Sequence, residues 1–283
     1  MDSNAVMTLV TDPGKPLTEE EHTAYLRALG KLMFLCNTRP DITFAVHKLG
    51  QFSAQPAINH WKAILRVIGY VFTTLQYGLV YRAVNEGLKD YTEFDYYTLY
   101  HSVEGHTGIS KAEDIMAFTD ADHAGDPSDR KSVMGFVFMI FGGPIAWWSV
   151  KEKSVTRATT TAEYIALSEG THMALWLRKL ISSIEGSKES AHATVPLVFG
   201  DNRASIQLSS GLSNTSKIKH VDTVFYYIVD EVKKKNIKLQ WVPGKNMLAD
   251  GFTKPLPLAG FREWRDKLGM QDVMEMMRLK GKF

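Results

Sequence analysis

The sequence predicts an α/β protein, in which a small all-helical segment precedes a mixed five-stranded sheet with flanking helices. Three observations carry this. Apolar residues recur at helical spacing between residues 19 and 77. From Ile115 the period shortens to that of strands, in three apolar runs that follow one another closely. Beyond Thr159, helical runs alternate with short apolar runs, the pattern of crossover units.

Residues 1–18 are polar and contain Pro13, Gly14 and Pro16, which reads as an extended N-terminal tail. Thr18 then stands three residues before Glu21, a capping-box spacing. Tyr25, Leu26, Leu29, Leu32 and Met33 continue it as an apolar helical stripe. Pro40 ends that helix and can open the next, DITFAVHKLGQFS. A third helix, NHWKAILRVIGYVFTTL, follows Pro56, so residues 19–83 form a helical segment. Residues 84–114 are acidic and tyrosine-rich without a clear period, and read as a linker or peripheral hairpin.

The sheet domain is expected over residues 115–257. IMAFTD, SVMGFVFMIFGG and PIAWWSV are three successive strands, with Phe136 and Phe138 on one face and a Gly-Gly turn after the second. Thr159–Ile184 is a long helix whose threonines can cap it. VPLVFGD is a short strand of the fully buried type. NRASIQLSS and KIKHVDTVFYYIVDEVKKK are helices, the second with a lysine-rich end that suits the helix dipole. IKLQWVPG is the fifth strand, NMLADGFTK is helical, and residues 258–283 form a C-terminal helix and tail.

Composition bounds the function. With 45% hydrophobic and 23% charged residues the chain is an ordinary globular protein. A net charge of +2 means that any nucleic-acid binding must come from local patches. The single cysteine, Cys36, excludes an internal disulfide and a cysteine-based zinc site. No run approaches the ~18 apolar residues of a membrane helix, and the N-terminus lacks the pattern of a secretory signal. An intracellular location, cytoplasmic or nuclear, is expected.

Four acids mark the ends of these elements. Asp120 closes the first strand, Glu163 lies in the first turn of the long helix, Asp201 follows the fourth strand, and Asp250 lies on the helix after the fifth. Ends of this kind can converge at one edge of an open sheet. Clustered carboxylates repel unless some are protonated or cations lie between them. Oxygen-only ligands favour Mg²⁺ or Mn²⁺, and two such ions can hold the attacking water and the leaving oxygen of a phosphodiester. Singly, Asp201 could equally be a helix cap, Glu163 a dipole residue and Asp250 a surface charge. Asp122, Asp126 and Asp129 read as turn residues.

In order, FTDADHAGDPSDRKSVMGFVF, PIAWWSVKEKSV, TTTAEYIALSEGTHMALWLRKL, DNRASIQLS, KIKHVDTVFYYIVDEV and LADGFTKPL resemble the ribonuclease H domain of Ty1/copia-type retrotransposon polyproteins. YLRALGKLMFLCNTRPDITFAVHKLGQFS, HWKAILRVIGYV and YGLVY resemble the thumb and connection region of the reverse transcriptase ahead of that domain. The resemblance covers residues 22–83 and 115–270. It implies a ribonuclease H fold that cuts the RNA strand of RNA/DNA hybrids with two Mg²⁺ or Mn²⁺ ions. Its catalytic and metal-binding tetrad falls on Asp120, Glu163, Asp201 and Asp250, with Asp120 preferred to Asp122. Asp122, Arg130, Ser132 and Asn202 are candidates for contact with the hybrid backbone, as is Lys219 in the lysine-flanked helix.

The chain departs from the family in places. Many ribonucleases H carry a histidine in a loop before the last acid, whereas WVPGKNMLAD has none; His220 is the candidate for that auxiliary role. Trp148 and Arg157 replace smaller residues common in the family. No YxDD-like polymerase motif occurs, so polymerisation is not expected, and the chain reads as a fragment or retained remnant. A catalytically weak nucleic-acid or protein binding module is the alternative reading. His60, Lys62 and Arg66 beside Trp61 form a further basic candidate patch, although helix packing by Ile64, Leu65 and Ile68 is the main reading of that segment.

Overall fold

A computed structural model of the protein describes residues 3–81, 115–123, 129–152, 159–184, 195–209 and 222–279. The expected linker at 84–114 lies outside them, as do Asp126, Arg157, Lys219 and His220.

The first surprise is at the N-terminus. Residues expected as an extended tail form α1 (Ser3–Thr11), and Leu9 is buried. Next come α2 (Glu19–Leu35), a 3₁₀ turn at Pro40–Ile42, α3 (Thr43–Gly50) and α4 (Ile58–Thr73). The Thr18–Glu21 capping box opens α2 with both of its reciprocal bonds. Tyr25, Leu29 and Leu32 meet Ile42, Val46, Leu49, Ile64 and Val67 in one apolar core, which Leu9 completes. His60 holds α1 in place. It accepts the Ala57 N–H at 2.9 Å and lies 2.8 Å from the Leu9 carbonyl. This corrects the reading of His60 as part of a basic surface patch, since it is only 2% exposed.

The helical module also contains a buried ion pair that no periodicity announces. Arg39 donates through Nε and Nη2 to both Asp41 carboxylate oxygens at 2.9 and 2.8 Å. The Thr74 hydroxyl at 2.8 Å accepts a further bond from Arg39, and Tyr70 Oη donates to Asp41 at 2.6 Å.

β1 (Tyr77–Leu79) leads out of the module. The sheet domain is built from β2 (Met116–Asp122), β3 (Val133–Ile140), β4 (Gly143–Lys151), α5 (Thr159–Ile184), β5 (Leu197–Gly200), α6 (Arg203–Ser209), α7 (Asp222–Lys233) and β6 (Lys238–Trp241). Its strands lie in the order β4-β3-β2-β5-β6. β2, β3 and β4 pair antiparallel, while β5 runs parallel to β2 and β6 parallel to β5. The turn between β3 and β4 consists of Phe141 and Gly142, both at positive φ (53° and 72°), rather than of a glycine pair.

Strand alternation fills both faces. Phe136 and Phe138 point with Ala117 and Val198 toward α5 and α7, where Tyr164, Leu167, Leu177 and Ile228 complete that core. Trp148, one of the departures from the family, packs edge-on against Phe138 at 5.7 Å. Met116, Phe118, Val137 and Phe199 point the other way, onto Leu248 and Phe252 of α8 (Asp250–Thr253) and its approach, and onto Trp264 of α9 (Leu258–Lys267).

Residues 258–279 are therefore no loose tail. Trp264 is buried and donates to the Leu248 carbonyl at 2.8 Å. After α9, β7 (Met270–Asp272) pairs antiparallel with β1, and α10 (Val273–Leu279) follows. The helical module packs against the same body. Trp147 Nε1 donates to the Cys36 carbonyl at 2.8 Å, and His47 lies in hydrogen-bonding contact with the Ser149 carbonyl. No helix among the described residues is long and apolar enough to cross a membrane.

Candidate acidic metal centre

Two strands carry the same short pattern, Phe-Thr-Asp ending at 120 and Phe-Gly-Asp ending at 201. Parallel pairing sets Phe118 beside Phe199, and their rings stack at 4.7 Å. Side chains two residues apart share a face, so Asp120 and Asp201 follow the stacked pair side by side at the carboxyl edge of the sheet. The third acid arrives on a helix. A Cβ on Gly170 would meet the Thr119 methyl at 2.2 Å, so only glycine lets α5 lie this close to β2. Glu163, seven residues earlier, thereby reaches the end of the strand. One oxygen each from Asp120, Glu163 and Asp201 lie within 4.8 Å of one another.

Glycine also admits the fourth acid. Gly135 pairs with Asp120 across β3, and a Cβ there would meet the Ala249 carbonyl at 2.6 Å. α8 can therefore cross over this point. Thr253 donates its hydroxyl to Asp120 Oδ2 at 2.6 Å. Asp250 lies on the same turn, yet it stands outside the group of three. Lys254 Nζ holds its Oδ1 at 2.9 Å, one helical turn along.

The electrostatics follow from this crowding. Burial, reinforced by Asp120 and Asp201, pushes the Glu163 carboxyl from an ordinary 4.5 to about 9. Burial and Asp120 raise Asp250 to about 7, and the same two causes raise Asp201 and Asp122. Burial pulls the Lys254 ammonium down, but Asp120, Asp250 and Asp201 outweigh it and leave the ammonium above its ordinary value. The donor set is all oxygen, mostly buried and short of positive charge. It suits a hard divalent cation, and the three convergent carboxylates could hold one.

A stability prediction arises here. The folded, metal-free protein keeps the Glu163 proton up to about pH 9, whereas an exposed glutamate loses it near 4.5. Across that window the folded state binds more protons, so stability falls as pH rises. Urea unfolding in chelator should show this fall between about pH 5 and 8. Glu163→Gln should remove much of it and stabilise the metal-free fold by about 2–4 kcal/mol at pH 8. A wild-type stability that is flat or rising over that range would refute the assignment.

The other sequence candidates separate. Asp122 lies one strand step beyond Asp120 on the same face and outside the three-acid group. Arg130 is exposed, at a turn with φ 59° beside that edge. Ser132 is fully buried and its carbonyl accepts the Glu152 N–H at 2.9 Å, so the expectation that it contacts a duplex is corrected. Asn202, not Asp201, caps α6, with Oδ1 accepting the Ser205 N–H at 3.2 Å. Lys219 and His220 lie outside the described residues. Sequence reasoning missed Thr253 and Lys254, although the four-residue spacing from Asp250 to Lys254 on a helix was the available signal.

The sheet order, two antiparallel pairings followed by two parallel ones, with acids at the carboxyl edge beside a long helix, defines a ribonuclease H-like domain. Over most of its length the chain is similar to retrovirus-related Pol polyproteins, which supports an origin in a copia-type retrotransposon Pol. It is 28% identical over 266 residues to the Pol polyprotein from transposon RE1 of Arabidopsis thaliana, covering 94% of this chain and 16% of that one. It is 35% identical over 158 residues to secreted RxLR effector protein 161 of Plasmopara viticola, covering 56% of this chain and 93% of that one. The chain thus spans about a sixth of the length of the Pol polyproteins it matches. Among solved structures, a ribonuclease H1 isolated from compost is similar with a TM-score of 0.39 at 19% identity, covering 50% of this chain and 93% of that one. No family model matches the chain.

Proposed function

We propose that this protein is a metal-dependent endoribonuclease that cuts the RNA strand of RNA/DNA hybrids. The observation that carries the reading is the convergence of Asp120, Glu163 and Asp201 at one sheet edge. The hybrid as substrate follows from the family resemblance. Asp120, Glu163 and Asp201 would hold one Mg²⁺ or Mn²⁺ ion, and Asp250 with Asp120 a second. Bound there, the ions would activate the water and take up charge on the leaving oxygen. Thr253 fixes the Asp120 carboxylate by donating to Oδ2. Lys254 offsets part of the negative charge around Asp250, and it would have to release Asp250 Oδ1 for a second ion to bind through that oxygen. Asp122 and Arg130 border the edge where the duplex would lie, and Asn202 holds the turn that carries Asp201. The expected auxiliary part of His220 and the backbone contact of Lys219 belong to the same proposal.

The ion pair that occupies Asp250 favours one second reading, a hybrid-binding module with weak catalysis. The test is incubation with a labelled RNA/DNA hybrid in Mg²⁺ or Mn²⁺, beside Asp201→Asn. Cutting by the wild type alone supports the nuclease. Binding of the hybrid without cutting in either metal supports the module.

A further inference from the structure

One cation beside the acid cluster is held in an unusual way. Arg203 begins α6, two residues after Asp201, and is exposed. Its guanidinium carbon lies 3.9 Å from the centre of the Trp241 ring. Among the described residues Arg203 makes no ion pair, in contrast to Lys254 on the other side of the site. Trp241 is itself fixed, because Nε1 donates to the Asp201 carbonyl at 2.8 Å and the ring packs on the core beside α5 and α7. Asp201, Arg203 and Trp241 therefore form one rigid unit across β5 and β6, which pair at Gly200 and Trp241.

The chemistry of this unit is that of an anion clamp. A guanidinium carries its five N–H donors in its own plane, so stacking on a ring orients the group without consuming a donor. A carboxylate partner would have neutralised it and occupied those donors. Stacking also limits the side-chain motion that a free arginine would lose on binding. The cation stays available for a phosphate, two residues from an acid of the cluster.

We propose that Arg203, held by the Trp241 ring, grips a backbone phosphate of the bound nucleic acid next to the cleavage position. This rests on the hybrid-cutting reading for its substrate, but it concerns binding and is tested without catalysis. The full chain is titrated into a labelled RNA/DNA hybrid in Ca²⁺, at salt concentrations from about 50 to 200 mM. For Arg203→Ala, Kd should rise, and the slope of log Kd against log salt should become shallower by nearly one unit, the signature of one lost phosphate contact. Arg203→Lys, which keeps the charge, should retain the slope. The thermal midpoint of both variants should match the wild type, as the residue is exposed.

An unchanged slope for Arg203→Ala, with or without a change in Kd, overturns the proposal. So does a wild type that fails to bind the hybrid. A wild type that binds with the arginine-dependent slope yet never cuts in Mg²⁺ or Mn²⁺ sustains the proposal while removing the nuclease reading.

Discussion

Under the proposed nuclease function, Asp120→Asn is expected to abolish hybrid cutting, by about a thousandfold or more, because a carboxylate at this position would contribute several kcal/mol to holding the ions and the charge that develops on oxygen. The expectation follows from the position of Asp120. It is 3% exposed, belongs to the three-carboxylate group, and is a repelling neighbour of Glu163, Asp201 and Asp250. The asparagine is nearly isosteric and its Oδ1 can still accept the Thr253 hydroxyl, so the fold should survive. With one negative charge removed from the cluster, the metal-free protein should even gain stability. Calorimetric titration with Mg²⁺ or Mn²⁺ should show weaker binding, in parallel with the lost activity. Asp122→Asn is the matched control, expected to leave both largely in place. Cutting by Asp120→Asn within about tenfold of the wild type would remove this residue from the chemistry.

Asp41→Ala is expected to destabilise the protein by about 3–5 kcal/mol, the usual cost of breaking a buried ion pair from one side. The Arg39 and Asp41 side chains are 8% and 0% exposed. Removing the carboxylate leaves Arg39 Nε and the Tyr70 hydroxyl without their acceptor and strands a guanidinium away from water. Thr74 can still satisfy part of Arg39, which argues for the lower end of the range. Urea unfolding at neutral pH reads this directly. A loss under about 1 kcal/mol would mean that water reaches the guanidinium. The two variants probe separate things, since Asp41 ties the 3₁₀ turn to α4 while Asp120 lies at the sheet edge.

Much of the architecture was legible in the sequence because it depends on local pattern. The Thr18–Glu21 box needs only two residues three apart, and the alternation of Phe136 and Phe138 needs only the strand period. The repeated Phe-x-Asp at the ends of β2 and β5 places the two acids on one face only through the parallel pairing that the structure supplies. What misled was composition. Prolines and polar residues suggested a tail, but α1 is held by residues some fifty positions away, through Leu9 and His60. Ser132 looked like a surface residue of an acidic turn and is buried under strand pairing. His60 looked like a basic surface group and instead bonds two backbone segments.

The sequence by itself determined the order of the main helices and of the five sheet strands, their inward faces and the four acids at element ends, since each is written in spacing over a few residues; α1 and the β1–β7 pair were not legible in it. Only the tertiary structure decided that three of those acids converge while Lys254 claims the fourth, that Arg203 rests on Trp241, and that Tyr77 pairs with Asp272. Local periodicity states that a face is apolar or charged. It does not state what comes to lie against that face, which depends on contacts between residues far apart in the chain and on glycines such as Gly135 and Gly170 that let backbones approach.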